Sequence, residues 1–361
     1  MLSCVEIFLF AALGLIAPQD GATVPVLSEN QRAYLEKPTA ARYKAMADRV
    51  ERIKLAGSGE YQRPLELQWS GETNALYTLT VDFAEGGDKR VFEIVGRTSA
   101  RITNLELGRE YRWSVEKGGE KATATFKTAA EAPRLLRAGG VRNFRDLGGW
   151  KTTDRRRVKQ NMILRCAGLR SSASKEGGGL FGGKFRPGEQ RVTERGIKTL
   201  REDFKIATDL ELRNDQESVF LTTTLLGKGT AWVRVPFAAY DFIDERERGR
   251  QPFARIFRLF LDRANYPVLM HCSGGRDRTG TLAYLLNAIL GVEKDDLSRD
   301  WEVTAFGDES LSFSPDRLQR LVEYLDSCGG AAAYARRCGI TDEELAEFRA
   351  IMLEDETEVA K

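Results

Sequence analysis

Cys272 ends an apolar run, Val268-Leu269-Met270-His271-Cys272, and Arg278 follows it six positions later. Between them lie Ser273, Gly274, Gly275, Arg276 and Asp277, and Thr279 comes next. A cysteine attacks as the thiolate, so a working nucleophile needs positive charge beside it. The backbone N–H groups from Ser273 to Arg278 supply that if they all point inward, and Gly274 and Gly275 admit the dihedrals such a nest requires. The stretch Leu282–Leu290 reads as a buried helix, and a helix beginning near Thr279 adds its positive N-terminal end. Arg278 brings a planar fork that can grip two oxygens of one anion. Nucleophile, cradle and clamp at this spacing point to covalent phosphoryl transfer through a phosphocysteine.

The fuller string His271-Cys272-x-x-Gly275-x-Asp277-Arg278-Thr279-Gly280 resembles the loop of the protein tyrosine phosphatase superfamily. Within it, the string is similar to a branch of bacterial tyrosine and phosphoinositide phosphatases, whose loop usually has lysine where Arg276 stands. Far upstream, Asn143-Phe144-Arg145-Asp146-Leu147-Gly148-Gly149 resembles the opening signature of the same branch, so two independent segments agree. The resemblance implies an α/β domain, a mostly parallel sheet flanked by helices. It implies hydrolysis of a phosphorylated protein, most readily at phosphotyrosine, with a phosphoinositide or another small phosphomonoester as the alternative substrate. Cys272 would be the nucleophile, with Arg278 and the loop from Ser273 through Gly274, Gly275, Arg276 and Asp277 binding phosphate. Thr279 would stabilise the departing thiolate, and His271 would shape the loop by hydrogen bonding. The general acid would be Asp277 in the loop or Asp241 in the segment after Trp232–Phe237. No metal or organic cofactor is called for. A phospho-ligand module without turnover is the reading from another class, and the intact Cys272 and Arg278 oppose it.

Other elements must position these groups. Met162–Arg165, Ile206–Arg213 and Trp232–Phe237 read as further strands. Asp209 or Glu211 at the end of the second is a candidate acid, or else a carboxylate paired with Arg213, and Glu217 follows shortly after. Thr193 caps an expected helix from Val192, and Ala254–Ala264 reads as an amphipathic helix. The glycine-rich stretch from Ser171 to Gln190 is a long surface loop that could cover the site. Together these outline a phosphatase domain over 134–355.

The 361 residues leave room for a second domain. From 60 to 130 the period switches to two: Leu65, Leu67 and Trp69; Tyr77, Leu79, Val81 and Phe83; Tyr111, Trp113 and Val115; Ala122, Ala124 and Phe126. This predicts an all-β sandwich. Leu105 six residues before Tyr111, with the early Trp69, resembles a fibronectin type III domain, in which that tyrosine hydrogen-bonds back to the chain. Residues 23–59 read as a helical segment, with apolar positions over Gln31–Leu55 and a break at Pro38, a prelude to the sandwich. The apolar run Ile7–Ala17 is too short to span a bilayer and suits a signal peptide over 1–22, hence export to the periplasm or beyond.

Composition narrows the remaining classes. With 55 Lys and Arg against 53 Asp and Glu, the net charge of +2 gives no reason to expect a nucleic-acid partner. The single histidine, His271, excludes a Ser-His-Asp triad elsewhere and any multi-histidine metal site. Cys328 and Cys338 could pair in an oxidising compartment or stay as thiols.

Overall fold

The computed structural model describes residues 13–56, 63–86, 89–171, 189–219, 221–237, 250–306 and 315–355. The chain divides into two compact units. Of the described residues, one unit comprises those up to Leu27 and those from 63 to 131; the other comprises Ser28–Ala56 and those from Ala132 onward.

In the first unit, alternating apolar side chains make strands with one buried face. β1 (Gly14–Ala17), β3 (Leu65–Ser70) and β6 (Ser99–Ile102) form one sheet in the order β1-β3-β6. β2 (Ala22–Val24), β4 (Leu76–Phe83), β5 (Arg90–Val95), β7 (Glu110–Lys117) and β8 (Glu120–Thr128) form the other, in the order β2-β8-β7-β4-β5. Leu67, Trp69 and Ile102 from the smaller sheet share one core with Tyr77, Leu79, Trp113 and Phe126 from the larger. The four strands read from the sequence are therefore present. β5 was not expected, because it is an edge strand whose Val91 and Val95 face outward and blur its alternation. β1 pairs with β3, and β2 with β8. Tyr111 accepts a hydrogen bond from the Glu106 N–H at 2.8 Å, which closes the corner that Leu105 and Tyr111 implied.

The second unit begins with three helices, α1 (Glu29–Leu35), α2 (Thr39–Ala47) and α3 (Arg49–Ala56), with Pro38 at the start of α2 as its sequence suggests. They belong with the catalytic unit, where a prelude to the sandwich was expected. A buried ion pair fixes how they sit there. Arg42 is fully buried against Glu302, which is also fully buried, with Nε 2.8 Å from the carboxylate.

The central sheet has the order β12-β11-β13-β10-β9, built from β9 (Arg145–Asp146), β10 (Ile163–Ala167), β11 (Thr208–Glu211), β12 (Ala231–Arg234) and β13 (Val268–Cys272). All neighbours run parallel except β9, which is antiparallel to β10. β10, β11 and β13 are buried along their whole length, as strands covered on both faces must be. One face carries α4 (Glu194–Lys198), with Leu164, Leu269 and Phe204 in its core. The other carries α5 (Arg250–Leu259), α6 (Asp277–Leu290), α7 (Lys294–Glu302), α8 (Pro315–Cys328), α9 (Ala331–Arg337) and α10 (Asp342–Met352). Thr193 caps α4 through the Gly196 N–H at 3.1 Å, as read from the sequence. Cys328 and Cys338 are free thiols. Among the described residues, no helix is long and apolar enough to cross a membrane.

Tyr111→Phe leaves the half-buried Glu106 N–H without its phenolic acceptor, which costs about 1 kcal/mol. Denaturant unfolding of the full chain, followed by Trp fluorescence, should show that loss in the transition of the all-β unit. Phosphatase turnover should be unchanged.

Candidate active site

Strand β13 delivers Cys272 to the carboxyl edge of the parallel sheet, where ligands of such folds sit. The chain then turns through Ser273–Arg276, and α6 starts at Asp277, two residues earlier than expected. Gly275 has φ of +64°, and a Cβ there would lie 2.3 Å from the Cys166 carbonyl oxygen. Only glycine fits against β10 at that point.

Three consecutive loop carbonyls are held from behind. Ser273 O accepts from the Gly168 N–H at 3.3 Å. Asn143 Nδ2 donates to Gly274 O at 3.1 Å and to Gly275 O at 3.0 Å. Arg165 also donates to Gly275 O, at 2.8 Å. A planar trans peptide carries its N–H opposite its C=O. Pinning these oxygens therefore turns the N–H groups of Gly274, Gly275 and Arg276 toward the other side, where the anion would lie. Asn143 is fixed in turn by Arg145, and Asp300 binds both Arg145 (3.0 Å) and Arg165. Burial pushes the Asp300 carboxyl up, but the two guanidinium charges outweigh it and hold it below the usual carboxylate range.

The electrostatics at Cys272 run the same way. Burial pushes its thiol up; the Arg278 charge, together with the Thr279 hydroxyl and backbone N–H, more than offsets this and leaves it below an ordinary thiol. Thr279 Oγ1 is fully buried, and its hydroxyl is one of the groups that lower the Cys272 thiol. Arg278 reaches from Cys272 to Glu217, whose carboxylate it binds with both terminal nitrogens, one of them at 2.8 Å. Ser273 Oγ donates to the same carboxylate at 3.0 Å. Glu217 is raised by burial, but the Arg278 contact outweighs this and lowers it, so the clamp is held by a charged partner. The Arg278 fork is thus fixed in one plane before any phosphate arrives.

The remaining expected residues fall in different places. Arg276 does not turn into the loop; its guanidinium lies 3.1–3.2 Å from the Asp277 carboxylate. Asp277 is partly exposed in the first turn of α6 and also accepts from Arg317 at 3.3 Å. Asp241 lies outside the described residues, as does most of the Ser171–Gln190 loop. Asp209 and Glu211 do not line the cradle. Glu211 pairs with Arg213, and Asp209 accepts from Thr224 and meets His271 Nε2 at 2.6 Å, all of it buried. His271 therefore sits among carboxylates behind the strand; burial alone would lower its pKa, but Glu211 and Asp209 raise it above the ordinary value. Its link to the loop runs through the backbone of β13.

Sequence reasoning left Glu217, Asn143, Arg165 and Asp300 without roles. Asn143 was within reach, since it heads the Asn-Phe-Arg-Asp-Leu-Gly-Gly segment. The contacts of the other three span 56 to 155 residues and leave no local pattern. Beside the loop, Arg142 and Arg213 lie close to Arg191. Burial and their charges together bring Arg191 down to about 10. The backbone ties two of these arginines to the end of β10: Ala167 N donates to Arg142 O, and Arg191 N to Leu169 O, both at 2.8 Å. Among the described residues, no three His, Cys, Asp or Glu side chains converge as a metal site requires.

A buried thiol of lowered pKa at the base of a loop whose carbonyls are held outward, with a fixed arginine fork across it, defines a cysteine-based phosphatase. The model of the tyrosine phosphatase family matches residues 136–178 and 185–354, and the chain belongs to that family. Comparison with curated proteins gives no match. The chain is similar to the core catalytic domain of the PP-IP phosphatase Siw14 from S. cerevisiae, solved with citrate. Identity is 14% over 57% of this chain and 96% of that one, with a TM-score of 0.33. A second structure of the Siw14 catalytic core matches at 14% identity over 57% and 97%, with a TM-score of 0.31. The fn3 domain of human collagen alpha-1(XX) matches at 25% identity over 21% of this chain and 79% of that domain, with a TM-score of 0.17.

A lowered thiol pKa means that thiolate is present at lower pH than in a free cysteine. Inactivation by iodoacetamide should therefore titrate with a midpoint below the ordinary value of ~8.5. Thr279→Ala and Arg278→Ala should each move that midpoint upward, because each removes a group that stabilises the thiolate. A midpoint at or above ~8.5 in the wild type would mean that burial outweighs them.

Proposed function

We propose that the protein is a protein-tyrosine phosphatase that works through a phosphocysteine. The lowered pKa of Cys272, at the base of a loop whose carbonyls are pinned outward, carries this reading. Cys272 Sγ attacks phosphorus as the P–O bond to the leaving oxygen breaks. Arg278 and the loop N–H groups hold the equatorial oxygens, whose charge builds up in the transition state. An acid gives its proton to the leaving phenoxide, then takes one from the water that cleaves the S–P bond and returns the thiolate. Thr279 supports that thiolate. Asp277 and Asp241 are the candidate acids, and the partial exposure of Asp277 beside the loop supports its candidacy.

A second substrate reading, a phosphoinositide or another small ester bearing several anionic groups, draws support from the half-buried arginines Arg142 and Arg191. We further propose that the chain is of the bacterial branch named above and is exported, on its two motifs and the apolar run Ile7–Ala17. The all-β unit is proposed as fibronectin type III-like, on its two sheets and the Tyr111 corner.

Wild type and Cys272→Ser should be compared on p-nitrophenyl phosphate, a phosphotyrosine peptide and an inositol phospholipid. Turnover by the wild type, loss of roughly 10⁴-fold or more in the variant, and preference for the peptide support the first reading. Preference for the lipid moves the assignment to the second. Turnover that survives Cys272→Ser rejects both.

A further inference from the structure

Helix α7 carries three consecutive residues that face different parts of the catalytic unit. Asp300 binds Arg145 and Arg165, and through them Asn143 and the Gly275 carbonyl. Trp301 lies over the first turn of α6, where a Cβ on Gly280 would come within 3.2 Å of its ring. Glu302 binds the N-terminal helices. It accepts from Tyr34 Oη at 2.6 Å and from Arg42 Nε at 2.8 Å and Nη2 at 3.3 Å. Further contacts fix the same two elements. Arg42 also binds Asp295 at 2.7 Å, Thr39 donates to Asp295 at 2.6 Å, and Arg299 donates to the Leu35 carbonyl at 3.0 Å.

Apolar packing would dock α1 and α2 as firmly, because a fully buried ion pair adds little net stability. What the pair supplies is a single geometry, since the forked guanidinium accepts its carboxylate in few orientations. One α7 segment thus has the N-terminal helices at Glu302 and the catalytic loop at Asp300, with a rigid helical backbone between them.

We propose that Arg42 and Glu302 are positioning residues for the catalytic loop, and that the segment Glu29–Ala56 belongs to the phosphatase machinery. It sets α7 so that Asp300 keeps Arg145 and Arg165, and hence the loop carbonyls, in place. Without Arg42, the Glu302 carboxylate is buried beside Tyr34 alone and must take up a proton or move. Either change shifts the end of α7 that bears Asp300. The inference rests on the phosphatase reading for its catalytic readout, although the state of the thiol reports on the loop independently.

The test uses the full chain with Arg42→Ala, Arg42→Lys, Glu302→Gln and, as a destabilising control, Leu325→Ala in the core beneath α8. Each is assayed for kcat and KM on p-nitrophenyl phosphate, for the pH midpoint of Cys272 alkylation, and for melting temperature. At temperatures where every variant is folded, Arg42→Ala and Glu302→Gln should lower kcat roughly tenfold or more, because small misplacements of catalytic groups are costly. KM should change less, the alkylation midpoint should rise, and Arg42→Lys should lose less than Arg42→Ala. Glu302→Gln keeps the side-chain shape, so it decides the matter if Arg42→Ala does not fold. Wild-type kcat and midpoint in a folded Glu302→Gln or Arg42→Ala would overturn the proposal. So would an equal fall in kcat for Leu325→Ala at the same loss of melting temperature. Failure of the wild type to hydrolyse any phosphomonoester would reject the phosphatase reading, while the alkylation midpoints would still decide this one.

Discussion

The site depends on the hydrogen bonds that hold the carbonyls of Ser273, Gly274 and Gly275 away from the nucleophile. Left to itself, a loop of this composition would present a mixture of C=O and N–H groups, and the carbonyl ends would repel a phosphate. Asn143, Arg165 and the Gly168 N–H remove that freedom. The planarity of the peptide then converts an outward oxygen into an inward N–H at no further cost. The phosphate cradle follows from that orientation, while Arg278 and Thr279 lower the thiol beside it.

Charge is balanced in layers around this constraint. Arg278 stabilises the thiolate and is itself bound by Glu217. Arg145 and Arg165 share Asp300, and Arg213 takes Glu211. Breaking a buried pair leaves an uncompensated charge and costs several kcal/mol, about 3–5. The arginines behind the loop are therefore as constrained as the residues that would touch substrate. His271 fits the same scheme. It lies between carboxylates on the far side of the strand, where its raised pKa reports their field rather than a proton relay to substrate.

Much of this was legible in the sequence. The Cys272–Arg278 spacing, the glycines and the apolar run located the cradle, because phosphate binding by backbone amides fixes local residue types. The period-two strands of the first unit were legible where one face is buried, and lost at β5, where Val91 and Val95 are exposed. Two kinds of error remained. Helices α1 to α3 were assigned to the wrong neighbour, because an amphipathic pattern states that a face is buried and not against what; the partner, Glu302, lies 260 residues from Arg42. Asp209 and Glu211 were candidate acids because their types and strand-end position suit that role. Their side chains meet His271 and Arg213 in the interior, a matter of register that the sequence does not carry.

The proposed covalent intermediate on sulfur can be trapped directly. Wild-type protein would be mixed with a phosphotyrosine peptide, quenched within milliseconds, digested and mapped by mass spectrometry. Phosphate is expected on the peptide containing Cys272, and none there in Cys272→Ser. Turnover with phosphate on a different residue, or with no phosphoprotein at any time point, would contradict it.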